Sequence, residues 1–586
     1  MTTADRRWRI SDSIRIGLVG GIFAVYLCLI GIVEALGDRS VIEKLVSVGQ
    51  TLLLLTAFGT GYFAAQQALA AGASRKTVTS LLASLLAGLG TGLLLGLLVL
   101  LGYLVNVRAV FINVSPALLD SLTLGLGISG VWLPVAVMAF VGLMGGVVRA
   151  LPASVRSPLI VGLGAVVLGG LFSGLVRPPM IALKGTPEKV ARFLMGPTGL
   201  TPWGAVIVFA VVAAIDITIF QASSPVRKSY RELPPNRRKI ARGTLLVLAI
   251  LMAIVLPRGS GPFIAQVVVL ICLSALMGLG MNITLGFAGL LDLGFVAFFA
   301  VGAYTVGMLT SYGEFGLAHL PFWVVLPIAV LVAMLTGAFL GLPVLGIRGD
   351  YLAIATLGFG EVVRLLAGSD FLAPWLGGPQ GVIGIQKPCL GWLGPFVGTD
   401  VPRVCHGIEL GGPKEIYYLA LICVLIVALV AIRLRDSRLG RAWMAIREDE
   451  DVAQGLGVNL IQTKLMAYVL GASFAGLSGA IFAVLVGSIF ASSMQLLVSI
   501  NVVAIVVVGG MGSIPGVIVG SLALIGLPEA FREFSAYRLL FYGAALIVVM
   551  IARPAGLWPS VITKRELHVD LDDETDPAAS PSAASE

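Results

Sequence analysis

The sequence predicts an all-α integral membrane protein, a polytopic bundle of about 13–15 transmembrane helices. Three observations carry that prediction. Of the 586 residues, 58% are hydrophobic and only 12% are charged, about half the ionic content of a soluble domain. The remaining charges are segregated, leaving charge-free runs at 77–107, 121–148, 158–176, 243–257, 263–291 and 465–528. A crossing of the hydrocarbon core takes about 20 apolar residues, which several of these runs supply alone. The chain also holds 73 glycines, which let helices approach closely in a solvent where apolar contact gives little driving force. A barrel would instead show short strands of alternating polarity.

Arg6, Arg7, Arg9 and Arg15 lie at the start of the first apolar stretch without a cleavage pattern, so that helix reads as an uncleaved anchor. Six spans follow near 16–35, 45–65, 78–105, 122–148, 158–176 and 204–221. Basic residues mark cytoplasmic loops. With a cytoplasmic N-terminus, Arg75, Lys76, Arg149, Arg156 and the basic cluster over 227–242 all fall on the same side. The 177–203 loop then lies outside despite Arg177, Lys184, Lys189 and Arg192. Pro225, Pro234 and Pro235 among the charges mark a linker over 224–242. It divides an accessory six-helix domain (1–223) from a second membrane domain (243–558), and the acidic, Ala/Ser/Pro-rich tail 559–586 reads as disordered.

In the second domain, spans are expected near 243–257, 263–282, 293–312, 320–346, 351–367, 415–432 and 539–552. Parity puts 348–350 and 433–464 inside and 368–414 outside, and Arg433, Arg435, Arg438 and Arg441 agree. Residues 465–528 carry no formal charge but are interrupted by the glycine-rich run 509–516. An inside C-terminus requires an odd number of crossings there. Three spans satisfy it; so does one span with a re-entrant pair broken at the glycines. Broken backbone at membrane depth persists only in a protein interior or against a cavity, so the cluster is either a pathway element or an interfacial turn.

Between 436 and 457 lies a cytoplasmic amphipathic segment, read as one helix with Leu439, Trp443, Ile446, Ala453 and Leu456 on one side. Gly455 and Gly457 supply the stop. Helices that rest on membrane surfaces are basic on their polar face. Glu448, Asp449, Glu450 and Asp451 would be repelled by anionic headgroups, which favours a protein partner.

The run Arg447-Glu-Asp-Glu-Asp-Val-Ala-Gln-Gly-Leu-Gly457 resembles the EAA-type coupling loop of ABC importer permeases, in the form used by branched-chain amino-acid permeases of the LivM type. The usual alanine pair stands here as Val452-Ala453. Four further stretches are similar to that family: Gly280 through Gly294 with Gly302-Ala303-Tyr304, Arg348 through Arg364, Gly377 through Gly384, and Gly509 through Gly516 with Arg553 through Leu557. The stretch 491–495 departs from the pattern, lacking a Pro and a Glu. The likeness covers about 262–558; residues 1–225 resemble no family and do not look like a fused partner permease. The resemblance implies a permease subunit in the cytoplasmic membrane of a prokaryote that carries branched-chain or similar small amino acids. Urea or short amides are the runner-up cargo within the family. It also implies two separate ABC ATPase subunits that bind ATP and Mg, a second LivH-type permease, and an extracytoplasmic substrate-binding protein. The residues it assigns to ATPase coupling are Arg441, Trp443, Arg447, Glu448, Asp449, Glu450, Ala453 and Gly457.

Candidates for the translocation pathway are Asn282, Gly286, Gly289, Tyr304, Thr356, Glu361, Arg364, Gly509, Gly510 and Gly512. Unwound glycine backbone and small polar groups can meet a zwitterion without fixed charge, and simple packing is the competing reading of each. Glu361 and Arg364, three residues apart, can pair on one helix face. Asp292 reads as a cap or contact at a span end, while Asp216 has no reading. Cys389 and Cys405 share one polar outer loop, either bridged or as two free thiols; Cys28, Cys272 and Cys423 read as buried apolar residues.

No Gly-Lys dipeptide occurs, so a Walker A loop is absent, and neither a cofactor nor a metal is expected in this chain. His319, His406 and His568 form no metal motif, which ranks a membrane enzyme last. The net charge of +8 lies in inter-span clusters facing membrane lipid, and no nucleic-acid partner is implied. An ion-coupled secondary transporter is the rival class. It would be expected to use intramembrane acids and internal repeats, and it leaves the 436–457 segment without a task.

Overall fold

The computed structural model of the chain describes residues 10–70, 76–182, 185–232, 262–344, 350–393, 404–530, 543, 546–547, 549–551 and 553–559. The expected span at 243–257, Arg348, most of the expected span at 539–552, and the tail lie outside these residues. Two compact units divide the chain at Leu251.

In the first unit, helices α1 (Ile10–Leu29), α2 (Val48–Ala70), α3 (Lys76–Leu104) and α4 (Trp132–Ala150) pack on one another. Helix α5 (Ala153–Leu171) pairs with α6 (Pro202–Glu232). Small residues set the spacing: a Cβ at Gly61 of α2 would collide with the carbonyl oxygen of Gly142 on α4. Buried polar residues here are hydroxyls, such as Thr91, whose Oγ1 donates to the carbonyls of Gly17 and Ala87 at 3.1 Å each. Helix α6 continues past the expected end at 221 and through Pro225 to Glu232, so the segment read as a linker begins as helix.

The second unit is built on α14 (Leu460–Val486), a 27-residue helix about 40 Å long. Against it pack α7 (Pro262–Met281), α8 (Val296–Thr310) and α9 (Phe322–Val344). Completing the set are α10 (Asp350–Ala367), α11 (Pro413–Arg435), the short α12 (Arg438–Glu448) and α13 (Glu450–Gly455), α15 (Leu496–Gly509) and α16 (Ile514–Ser521). Leu276, Leu279, Phe295, Tyr417, Trp443 and Tyr468 are its large buried side chains. Among the described residues of the whole chain, ten helices are long and apolar enough to cross a membrane, and three shorter apolar helices accompany them.

Both patterns open for 465–528 require three helical segments, and the structure has them. Ala491–Gly509 is long enough to cross, and α16 runs back antiparallel to α15, with Gly516 against Gly509 and Gly520 against Ile505. The glycine cluster is therefore the turn of a hairpin, located at the α12–α13 end of the unit. At the other end of α14, strand Ser488–Ile489 pairs with Val382–Ile383. Strands Cys389–Leu393 and Cys405–Glu409 pair beside them and are joined by a Cys389–Cys405 disulfide with Cα atoms 5.8 Å apart. The indole of Trp323 donates to the Cys389 carbonyl at 2.8 Å.

Candidate functional site

The site is assembled where α11 ends. Arg435 donates to Asp436 at 2.8 Å and holds its carboxyl below the usual carboxylate range. Ser437 caps α12 by accepting from the Gly440 amide at 3.2 Å. The expected single helix is in fact two. Asp449 is extended, with φ −157°, and its Oδ1 accepts from the amides of Asp451 and Val452 at 2.9 Å. A short carboxylate competes for backbone amides and is favoured at a helix N-terminus, so Asp449 ends α12 and caps α13.

This break redistributes the apolar residues. Of the residues placed on one side of the expected helix, Trp443, Ile446 and Ala453 are buried, whereas Leu456 is 79% exposed; Val452 is 58% exposed. Both stand on the outer surface with the exposed acids Glu448, Asp449 and Asp451. Gly457, with φ +88°, turns the chain into α14. Arg441 is exposed and donates back to the Asp436 carbonyl at 3.3 Å.

Four side chains expected to face a partner turn inward instead: Trp443 and Ala453, which are buried, and two polar ones, Glu450 and Arg447. Glu450 pairs with Lys464 at 2.6 Å, and Lys464 is nearly fully buried at the base of α14. Beside this pair, the Trp443 indole donates to the Thr463 carbonyl at 2.8 Å. The other inward polar residue is Arg447, whose Nη1 donates to the Gly286 carbonyl at 2.8 Å.

That carbonyl is available because α7 ends in a π-helical turn, Asn282–Phe287. The Leu290 amide, which an α-helix would direct at Gly286, bonds to the Thr284 carbonyl at 2.8 Å. On the other side of the turn, the Asn282 side-chain oxygen accepts from the Gly512 amide at 2.9 Å. A Cβ on Gly286 would collide with that oxygen and stand 2.7 Å from the Gly512 nitrogen. Gly510 and Gly512 have φ +119° and +75°, a left-handed backbone that glycine adopts without strain. The chain returns to this point near its end, where the Trp558 amide donates to the Gly509 carbonyl at 2.9 Å.

Six of the ten pathway candidates thus gather with Arg447 at one end of the unit: Asn282, Gly286, Gly289, Gly509, Gly510 and Gly512. The other four lie elsewhere. Thr356 accepts from the Leu293 amide at 3.1 Å, beside the fully buried Asp292. Asp292 lies in the connection between α7 and α8 and accepts from the Gly294 amide at 2.8 Å, while burial pushes its carboxyl up to about 7. Tyr304 is buried in α8, and its hydroxyl has no hydrogen-bond partner among the described residues. Glu361 and Arg364 bind each other through Arg364 Nε at 2.9 and 3.0 Å. Sequence reasoning missed Lys464 and Thr463. Nothing in the spacing signals them, since Lys464 reads as the last charge of a loop. Among the described residues no cluster of His, Cys, Asp and Glu could hold a metal ion.

Residues 263–550 match the family described as the permease component of the branched-chain amino acid transport system. Over 55% of its length the chain is 39% identical to the high-affinity branched-chain amino acid transport system permease protein LivM of Escherichia coli, covering 75% of that protein. The LivM protein of Salmonella typhimurium matches to the same extent. The LivH permease protein of Escherichia coli is 29% identical over 22% of this chain and 42% of its own. No solved structure matches the chain significantly.

Proposed function

The chain belongs to the family of branched-chain amino-acid transport permeases, the membrane subunits of ABC importers, and from that premise we propose its cargo, partners and orientation. The cargo is a branched-chain or similar small amino acid, brought across the cytoplasmic membrane of a prokaryote. Two separate ATPase subunits hold the ATP and Mg, and one of them grips the surface of α12 and α13 on the cytoplasmic side. A LivH-type permease completes the pore, and a substrate-binding protein delivers cargo at the end that carries the disulfide-linked hairpin. The N-terminus shares the cytoplasmic side with α12.

One observation carries this reading. Leu456 and Val452 are apolar, exposed, and flanked by Glu448, Asp449 and Asp451, while the segment beneath them is pinned to α14 through Trp443 and Lys464. An exposed apolar edge on a fixed base suits a protein groove, and its acids are repelled by anionic lipid. Nucleotide-driven closure of the ATPases then prefers one of two permease states, which is how a bound partner moves an equilibrium. Within the membrane, Tyr304 is the pathway candidate we retain, because its buried hydroxyl is free to meet a polar cargo.

The test replaces Val452 and Leu456 with Asp together. Neither side chain is buried, so the permease should insert and fold normally. Retention of the ATPases on the purified permease is expected to fall by about 30-fold or more, with ATP-dependent uptake lost alongside. Undiminished uptake would refute the docking surface.

A further inference from the structure

The coupling segment has two inward attachments of different kinds. Trp443 and Glu450 fasten it to the start of α14, through the Thr463 carbonyl and the Lys464 ammonium. Arg447, on the same α12, reaches a different body: the π turn that ends α7. This turn is in turn bonded to the α15–α16 hairpin through Asn282 and the Gly512 amide. A rotation of α12 about its attachment to α14 must therefore pull on, or release, the Gly286 carbonyl.

Both receiving elements are built for discrete change. A π turn holds one more residue than an α-helical turn and marks a place where helical register can shift. The hairpin turns on glycines with left-handed backbone, which tolerate large dihedral changes. Asn282 is buried, in a run without formal charge from 263 to 291, and its contact partner is an amide 230 residues away in sequence. A packing role alone requires no amide side chain at that position.

We infer that Arg447, Gly286, Asn282 and Gly512 form a relay that transmits movement of the coupling segment to α7 and the α15–α16 hairpin, with Arg447 and Asn282 as positioning residues for transport. This rests on the reading of α12–α13 as the ATPase-facing surface. It reassigns four residues: Arg447 is an inward transmitter, and Asn282, Gly286 and Gly512 serve the linkage that opens the route.

The experiment uses the complete reconstituted importer in proteoliposomes, with its ATPases, partner permease and binding protein. It reads amino-acid uptake and ATP hydrolysis in the same sample. Arg447→Met and, separately, Asn282→Leu keep side-chain size while removing the donor and the acceptor. Each should retain the ATPases and hydrolyse ATP at the parental rate, while uptake per ATP falls about tenfold. Arg447→Lys, which restores a donor, should recover part of the ratio. An unchanged ratio in the two variants overturns the relay, and so does a parallel loss of uptake and hydrolysis with the ATPases still bound. Should Asn282→Leu not fold, Arg447→Met decides alone, since its site is partly solvent-exposed. Failure of the docking reading looks different: the Val452/Leu456 double variant would then leave ATPase retention untouched.

Discussion

The two units of this chain share a composition and a way of packing helices, yet differ in what they bury. In the first, Gly61 against Gly142 brings two backbones together, and the buried polar residues among those described are hydroxyls that bond to nearby carbonyls. In the second, Gly302 meets Gly476 in the same manner, but the interior also holds Asn282, Asp292 and Lys464. An amide or charge costs several kcal/mol to bury unsatisfied; Asp292 finds a partner two residues away, whereas those of Asn282 and Lys464 come from other segments and tie separate pieces of chain together. Close packing is common to both units; buried amides and charges additionally link separate segments in the second.

Three substitutions break or sharpen that contrast. The largest effect is expected from Lys464→Met, which strands Glu450 at the base of the coupling segment. Thermal unfolding in detergent should show a loss of about 3 kcal/mol, with most of it recovered in the Lys464→Met/Glu450→Gln double variant. If the double variant is no better than the single one, the pair is not what holds the segment. Next comes Gly61→Leu in the first unit, where overpacking should cost about 2 kcal/mol without altering uptake per folded molecule. A drop in that specific uptake would erase the distinction between the units. The smallest effect is expected from Ser157→Ala. This removes the 2.8 Å hydrogen bond to Asp216 between α5 and α6, an interhelical bond worth about 0.6 kcal/mol. Asp216, without meaning in the sequence, is thus an ordinary polar contact between helices, and a large transport defect in Ser157→Ala would contradict that.

Helix positions were legible because most spans coincide with charge-poor runs, and the observed bounds depart from expectation mainly at the ends, where charge and proline give conflicting signals. The amphipathic character of 436–457 was legible too, since its acids stand beside an apolar stripe and would be out of place against lipid. The break of this segment at Asp449 was not. Periodicity treats Asp as a polar position, whereas its side chain here captures two amides. The π turn at Asn282–Phe287 leaves no trace because an inserted residue changes nothing in a run where nearly every position is apolar. Glu450 and Lys464 are fourteen positions apart, across a helix boundary, and no local spacing rule joins them. The glycines of 509–516 were visible as a break, but which elements the break faces is decided by Asn282 and Trp558, remote in sequence.

In the proposed orientation, the Cys389–Cys405 crosslink offers a readout of biogenesis. Such bonds form where thiols are oxidised, outside the reducing cytosol, so with the hairpin on the proposed outer side newly made chains should acquire it only after that segment has crossed the membrane. Electrophoretic mobility with and without reductant would then serve as a clock for membrane insertion of each nascent chain.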